Sequence, residues 1–310
     1  MDFIRICTIC DWTGIDFNCK YSNLKGGVIV KYDELLNNAK NKEFAIPQVN
    51  LNEIDWIDPI IKAASNMESP IIIATSDNIV DLLGGYKFIC QTIRNKIHSM
   101  QVNIPIKIHL DHSTSIENCK KAVDAGYDSV MFDGSKLDIV DNVKKTFEVA
   151  TYAHKKGVAV EGEVGGVGGK EDGIEDTIKY ASIDDCITLS KKANIDILAP
   201  ALGSAHGEYK GQPNLNFKLM EQINNTLHQA LALHGATGIS DTDLKHAIRL
   251  GHAKINFNTE VKKAWTEALR TVLNNNPSLY EPQNIIQPCK QAIEDTVSNL
   301  IKKCNSENKI

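Results

Sequence analysis

Three histidines that lie far apart in the sequence, His112, His206 and His234, each follow an apolar run. Imidazole nitrogens bind zinc, and catalytic zinc sites take three protein ligands and leave a fourth position open. The separations are too long for a local metal clip, so only a fold that gathers several strand ends at one rim can join these rings. We expect them to bind one zinc ion there. The histidines in helical or linking segments are expected to be solvated: His98, His154, His228, His246 and His252.

Carboxylates stand near the same strand ends. Asp111 directly precedes His112, which places a carboxylate beside the expected metal, where a general acid or base is needed. The alternative role for Asp111 is to orient an imidazole. Asp133 closes the run VMFD and Glu163 lies in VEGEVG, and both can bind a cation or orient ligands.

The segment 165–173, GGVGGKEDG, is dense in glycine and carries Glu171 and Asp172. Glycines at this density let a loop move, and loops that close over a reaction commonly bring a catalytic group with them. A plain flexible loop is the alternative, and the segment alone does not separate the two.

Two motifs near the end of the pattern, HGATG at 234–238 and NFNT at 256–259, follow the last two apolar runs. Loops after the seventh and eighth strands of a barrel, next to a helix start, frequently bind phosphate through backbone amides. The candidate phosphate-binding residues are Gly235, Ala236, Thr237, Asn256, Asn258 and Thr259.

Short apolar or β-rich runs alternate with amphipathic segments, which indicates parallel strands joined by helices. Such a chain closes into a (β/α)8 TIM barrel of the α/β class, with its chemistry at the carboxyl ends of the strands. An open doubly wound sheet is the alternative, but no GxGxxG opens the first helix, and the polar residues spread over strands three to eight. Strands are predicted at 44–50, 70–76, 105–111, 128–134, 158–165, 196–203, 230–235 and 253–258.

The domain organisation follows from the same pattern. Residues 30–310 are predicted to form one barrel domain that ends in a C-terminal helical tail, and 1–29 an N-terminal extension to which we assign no role. The 310 residues carry a formal net charge of −5, so neither nucleic acid nor a membrane is an expected partner. Eight cysteines without a regular framework fit reduced thiols, and we expect a cytoplasmic protein that acts on a small molecule.

Taken together, these motifs resemble the class II, zinc-dependent ketose-bisphosphate (fructose-bisphosphate) aldolases from about residue 30 to near the C-terminus. The segments that carry the resemblance are PQVNLNEIDW, SPIIIATS, HLDH, SVMFDGS, VEGEVGGVGGKEDG, APALGSAHGEYKG, LHGATGI and KINFNTE.

The resemblance implies a residue-by-residue assignment. His112, His206 and His234 would bind the catalytic Zn²⁺, Asp111 would be the acid/base, and Glu171 would carry a proton on the mobile loop. Asp133 and Glu163 match acidic positions near the metal, where a second divalent ion can bind. The remaining matches concern substrate, phosphate and a monovalent cation, Na⁺ or K⁺: Asn50, Ser76, Gly207, Lys210, Gly235, Ala236, Thr237, Asn256, Asn258 and Thr259.

The expected substrate is a sugar phosphate, with fructose 1,6-bisphosphate first and a homodimer or homotetramer as the assembly. Two departures from the family pattern bear on the substrate: the first weakens the case for fructose, and the second leaves the contact to the distal phosphate unassigned. Ala236 stands where fructose-bisphosphate members usually carry a second glycine, and Gln283 stands where an arginine commonly follows the YxP motif. The alternatives are aldolases acting on tagatose 1,6-bisphosphate or on 6-phospho-5-dehydro-2-deoxy-gluconate. Outside the family, a metal-dependent hydrolase barrel and a non-catalytic binding protein are the competing hypotheses.

Overall fold

The computed structural model describes residues 30–171, 174–207 and 213–310, without the side chains of 170–176. Eight parallel strands close into a barrel with helices on its outside, so the predicted (β/α)8 fold is confirmed. The segment 1–29, for which an extension was predicted, lies outside the described residues.

The strands of the described chain form the barrel and one small sheet. In chain order they are β1 (Ile46–Asn50), β2 (Ile71–Thr75), β3 (Ile106–Ser113), β4 (Ser129–Phe132), β5 (Ala159–Val164), β6 (Gly168–Glu171), β7 (Ile174–Asp176), β8 (Ile197–Pro200), β9 (Ala205–His206), β10 (Ala230–Leu233) and β11 (His252–Phe257). Around the barrel the order is β1-β11-β10-β8-β5-β4-β3-β2, and β7-β6-β9 form the small sheet. Each of the eight predicted strands overlaps one barrel strand.

Helices connect the strands, and a short 3-10 turn, Ile54–Trp56, follows β1. They are α1 (Tyr32–Asn41), α2 (Ile57–Asn66), α3 (Asp77–Leu82), α4 (Tyr86–Ser99), α5 (Ile116–Ala125), α6 (Ile139–His154), α7 (Ile183–Ala193), α8 (Phe217–Leu227), α9 (Asp241–Arg249), α10 (Thr259–Asn275) and α11 (Pro282–Lys303). Several begin at a capping side chain that accepts a backbone N–H three residues on, as Ser115, Ser182 and Ser240 do. The predicted C-terminal helix is α11. Among the described residues, no helix is both long and apolar enough to cross a bilayer.

The helix α1 covers the amino-terminal end of the barrel. Its buried side chains, including Leu36 and Tyr32, pack in one cluster with interior residues near the starts of the strands, such as Ile46, Ile72 and Ala230. The carboxyl ends of the strands are therefore the end at which polar residues can gather around a ligand.

One predicted surface histidine lies in the interior. His252 begins β11, is fully buried and shares a hydrogen bond through Nδ1 with the carbonyl oxygen of Ala247, so the expectation that it is solvated is wrong. Burial lowers the pKa of its imidazole to about 4. The strand begins earlier than its apolar pattern indicates, and this brings the histidine inside.

We predict that Leu36→Ala destabilises the protein by about 2–5 kcal/mol, because it leaves a cavity between α1 and the barrel interior. Denaturant unfolding of the purified protein measures the change. Leu82→Ala is the matched control, since Leu82 is 70% exposed, and it should change the free energy of unfolding by less than about 0.5 kcal/mol. Equal effects of the two substitutions would contradict the packing of α1 against the barrel.

Candidate active site

The end of β3 places two consecutive polar side chains at the mouth of the barrel. Side chains alternate along a strand, so His109 and Asp111 point into the barrel and Leu110 packs outside. His112 would continue the alternation outward, but its φ of 49° is left-handed and the β3–β4 pairing shifts register between Leu110 and Ser113. This backbone departure, which is costly for a non-glycine residue, lets His112 share the mouth with Asp111.

The three predicted metal-binding histidines come together. The ring of His112 lies 4.9 Å from that of His206 and 4.6 Å from that of His234, centre to centre. One nitrogen of each ring lies within 4.8 Å of the others. His112 is on β3 and His234 directly follows β10, as expected for strand-end residues.

His206 reaches the group by a different route. It lies on β9, after β8 has ended at Pro200, rather than at the end of a barrel strand. The backbone of β9 pairs in parallel with β6, with Gly169 opposite His206. A side chain on Gly169 would place its Cβ 2.0 Å from the His206 carbonyl oxygen, and the φ of Gly169 is +93°. Part of the glycine-dense segment is therefore a β-strand that fixes the position of His206. The sequence did not indicate this strand.

Carboxylates orient two of the rings. Glu161 Oε1 lies 2.8 Å from Nε2 of His234, and Asp133 Oδ2 lies 2.9 Å from Nδ1 of His112. The other nitrogen of each ring, Nδ1 of His234 and Nε2 of His112, is buried and makes no hydrogen bond. Nδ1 of His234 lies 3.0 Å from Glu163 Oε2, but the two atoms are not aligned for a hydrogen bond. A buried acceptor without a donor is costly, and a cation shared by the rings would satisfy both nitrogens.

The electrostatics of the rings follow from their proximity. Burial opposes protonation of His112, but Asp111, Asp133 and Glu163 outweigh it and raise the pKa of His112 well above its usual value. Burial, together with the positive charges of His112 and His234, lowers the pKa of His206 well below its usual value. Burial and the mutual repulsion of the rings therefore oppose protonation of all three together, whereas neutral rings can all bind one ion.

Asp111 is held as a carboxylate by amide donors. Asn50 Nδ2 donates to its Oδ2 at 3.0 Å and Asn256 Nδ2 donates to its Oδ1 at 3.1 Å. Burial alone would raise the pKa of Asp111, but His112, His109 at 3.7 Å from Asp111 Oδ1, and Lys254 hold that pKa well below its usual value. Asn50 and Asn256, predicted as substrate or phosphate contacts, thus position the candidate acid/base.

Two residues that the sequence analysis did not single out, Glu161 and Lys254, form an ion pair inside the barrel. Both side chains are fully buried, and Lys254 Nζ lies 2.8 Å from Glu161 Oε2 and 2.9 Å from Asn256 Oδ1. The signal was present in the sequence: Glu161 lies two residues before Glu163, and Lys254 two before Asn256. Period-two alternation turns such pairs to the same side of a strand.

The predicted phosphate loops also lie at the mouth. Gly235 has a φ of +65°, and an added Cβ would lie 2.5 Å from the Ala205 carbonyl oxygen. Ala236 is buried and has no polar side-chain atom, so only its backbone can bind a phosphate. Thr237 Oγ1 donates to Glu260 Oε2 at 2.5 Å. Asn258 Oδ1 accepts from Asn52, and Thr259 begins α10.

A cavity opens above the histidines, and several predicted site residues line it: Ser76, Asp111, His112, Asp133, Glu163 and His206. Gly207 directly follows β9. Lys210 and the side chain of Glu171 lie outside the described residues, although the backbone of Glu171 is the last residue of β6. The roles assigned to these two residues, like those of the other site residues, stay predictions.

Comparison with known proteins identifies the family. The sequence model of the family described as fructose-bisphosphate aldolase class-II matches residues 30–309. The chain belongs to this class II aldolase family. It is accordingly an aldehyde-lyase that cleaves carbon–carbon bonds, which sets aside the hydrolase and the non-catalytic alternatives.

Individual relatives carry two different substrate names. A 6-phospho-5-dehydro-2-deoxy-D-gluconate aldolase of Bacillus subtilis (strain 168) is 47% identical over 280 residues, 90% of this chain and 97% of that protein. A fructose-bisphosphate aldolase of Staphylococcus aureus (strain Mu50) is 42% identical over 282 residues, 91% and 99% of the two chains. The crystal structure of the YdjI aldolase from Escherichia coli K12 superposes with a TM-score of 0.80 at 28% identity, covering 91% of this chain and 99% of that one.

The candidate site fits the metal that the family generally uses, which is zinc. His112, His206 and His234 form a group able to hold an ion, and His112, Asp133 and Glu163 form a second. Three imidazoles and an open mouth match the ligand count of a catalytic zinc site. The carboxylates behind His234 and His112 match the partners that usually fix the rings of such ligands.

We predict that Gly169→Ala displaces His206, because the new Cβ would overlap its carbonyl oxygen. The dissociation constant for zinc, measured by competition with a chelator, should rise about tenfold or more. Gly157→Ala is the control: its φ is also positive, at +70°, but nothing lies within 4 Å of the added Cβ. That control should lose about 1–2 kcal/mol of stability and keep its zinc affinity. Unchanged zinc binding by Gly169→Ala would show that β9 does not depend on this glycine.

Proposed function

We propose that this aldolase acts on 6-phospho-5-dehydro-2-deoxy-D-gluconate and releases dihydroxyacetone phosphate and 3-oxopropanoate. The support comes first from the relatives: five proteins bearing this name, from Bacillus, Halalkalibacterium and Shouchella, are 43–47% identical to the chain, against 42% for the fructose-bisphosphate aldolases of Staphylococcus aureus. Fructose 1,6-bisphosphate, the first expectation from the sequence, is not confirmed and becomes the second candidate.

Two residues support the same choice. Ala236 occupies the position where fructose-bisphosphate members usually have glycine, and Gln283 the position where an arginine commonly follows YxP. The proposed substrate ends in a carboxylate, whereas fructose 1,6-bisphosphate ends in a second phosphate. An arginine binds phosphate through a bidentate contact, and this contact is not needed when the second phosphate is absent.

The histidines His112, His206 and His234 would hold the zinc. A zinc ion bound there supplies a Lewis acid that polarises the substrate ketone and stabilises negative charge next to it. Glu161 and Asp133 keep the rings of His234 and His112 turned toward the ion by the hydrogen bonds described above. Asp133 and Glu163 remain candidates for a second divalent ion.

Asp111 would be the acid/base. As a carboxylate it accepts the proton of the hydroxyl on C3, the oxygen becomes the aldehyde carbonyl, and the C3–C4 bond breaks with its electron pair left on C4. A proton delivered to C4 completes dihydroxyacetone phosphate, and the family resemblance assigns that proton to Glu171. In the reverse direction Asp111 returns its proton to the new hydroxyl. Asn50 and Asn256 aim the two carboxylate oxygens during both directions.

The phosphate would bind at the loops that follow β10 and β11. Asn258 and Thr259 lie at the start of α10, where backbone N–H groups and the helix dipole favour an anion, and Thr237 donates to Glu260 in the first turn of that helix. Gly235 and Ala236 precede Thr237 in the same loop. Ser76 and Gly207 remain predicted substrate or cation contacts, as does Lys210. The homo-oligomeric assembly, the cytoplasmic location and the monovalent cation also remain predictions.

The observation that supports the aldolase chemistry is the grouping of three histidines beside Asp111 in a chain of this family. The substrate names of the relatives carry the choice of substrate. We predict that the zinc-loaded protein cleaves 6-phospho-5-dehydro-2-deoxy-D-gluconate with a kcat/KM at least about tenfold above that for fructose or tagatose 1,6-bisphosphate. Coupled detection of dihydroxyacetone phosphate measures all three rates. A preference for fructose 1,6-bisphosphate would overturn the substrate and leave the aldolase assignment intact.

We further predict that Glu161→Gln weakens zinc binding about 10- to 100-fold, because the ring of His234 loses its charged acceptor. Chelator competition measures the affinity, and excess zinc should restore part of the turnover. Asp111→Asn is the contrasting variant: it should keep zinc and lose turnover that no added zinc restores. Since Glu161→Gln leaves Lys254 buried without a counter-ion, its fold is checked by circular dichroism. Normal zinc affinity in folded Glu161→Gln would show that this carboxylate does not support zinc binding.

A further inference from the structure

Lys136 stands out among the cavity residues because of its charge. Four carboxylates line the described part of the cavity, from Asp77, Asp111, Asp133 and Glu163, and Lys136 is the single lysine or arginine among the described lining residues. These carboxylates would repel the anionic end of a substrate unless a positively charged group lay next to that end. The family resemblance gave this lysine no role.

The turn after β4 fixes the backbone on which Lys136 sits. Asp133 Oδ1 accepts both the N–H of Ser135, at 3.0 Å, and its hydroxyl, at 2.6 Å. The N–H of Leu137 closes the turn on the carbonyl oxygen of Gly134 at 2.9 Å. The backbone of Lys136 is thus held between two anchored neighbours, and its exposed side chain lines the cavity.

The barrel order places this turn opposite the proposed phosphate site. In the closed ring of eight strands, β4 is four positions from β11, and so directly across the mouth from it. A substrate whose phosphate lies at the loops after β10 and β11, and whose reacting carbons lie at Asp111, extends its far end toward the turn after β4. That end is the carboxylate of the proposed substrate.

We propose that Lys136 binds the terminal carboxylate of the substrate and thereby selects an acid over a neutral or phosphorylated chain. This inference rests on the proposed function of the same site. One ammonium group matches a monoanion, whereas a phosphate dianion is usually bound by arginine or by several donors. In the direction of bond formation, Lys136 would recognise the carboxylate of 3-oxopropanoate.

The test uses the purified, zinc-loaded full chain in the direction of condensation. Dihydroxyacetone phosphate is combined with 3-oxopropanoate, with propanal or with glyceraldehyde 3-phosphate, and kcat and KM are measured for each aldehyde. In Lys136→Gln, the preference for 3-oxopropanoate over propanal should fall about 10- to 100-fold, mainly through KM. Lys136→Arg should keep most of that preference. Lys144→Gln, which removes an exposed charge from α6 outside the cavity, should leave it unchanged.

Different failures have different signatures. If the wild type prefers glyceraldehyde 3-phosphate to 3-oxopropanoate, the proposed substrate is wrong, whatever Lys136 does. If the wild type prefers 3-oxopropanoate and Lys136→Gln keeps that preference, or loses activity equally with 3-oxopropanoate and propanal, the role of Lys136 is overturned. A larger loss with glyceraldehyde 3-phosphate than with 3-oxopropanoate would also overturn it, because the lysine would then be a phosphate contact.

Discussion

A buried ammonium group joins the two halves of the candidate site. Lys254 lies in the barrel interior between Glu161, which faces His234, and Asn256, which donates to Asp111. Removing one partner of a buried ion pair is strongly destabilising, because the remaining charge has no solvent to replace it. The orientation of a candidate zinc ligand and that of the candidate acid/base therefore depend on the same ion pair, and neither can be adjusted alone.

This dependence is possible because the barrel interior is divided along its axis. Near the amino-terminal end of the strands, apolar residues such as Ile46 and Ile72 pack against α1. Further along β1, the interior residues are polar and bonded to one another, as Gln48 is to Asn50. A polar network of this kind is stable only when its members find partners. The apolar layer excludes water from below, and the mouth admits ligands from above.

Much of this arrangement could be predicted from the sequence, because it follows from regular alternation. Eight apolar runs predicted eight strands, and His112, His234 and Asp111 were placed correctly by their position at strand ends. The other features depend on local departures from the regular barrel or on ion pairs between residues in the barrel interior. His206 is on an added strand that forms only when the glycine-dense segment pairs with it. Lys254 and Glu161 were not predicted as interior residues, because a charged side chain is rarely buried unless it is paired with an opposite charge. The sequence does not show that these two distant residues form such a pair.

The pairing of β6 with β9 has a mechanical consequence. β6 continues into the hairpin formed with β7, and Gly169 of β6 faces His206 of β9. If the hairpin swings away from the barrel as a rigid piece, it must either break this short ladder or pull the histidine with it. Opening of the entrance and departure of one imidazole from the group of three would then be a single event, and the entry of a substrate would be coupled to the retention of an ion held by the three rings.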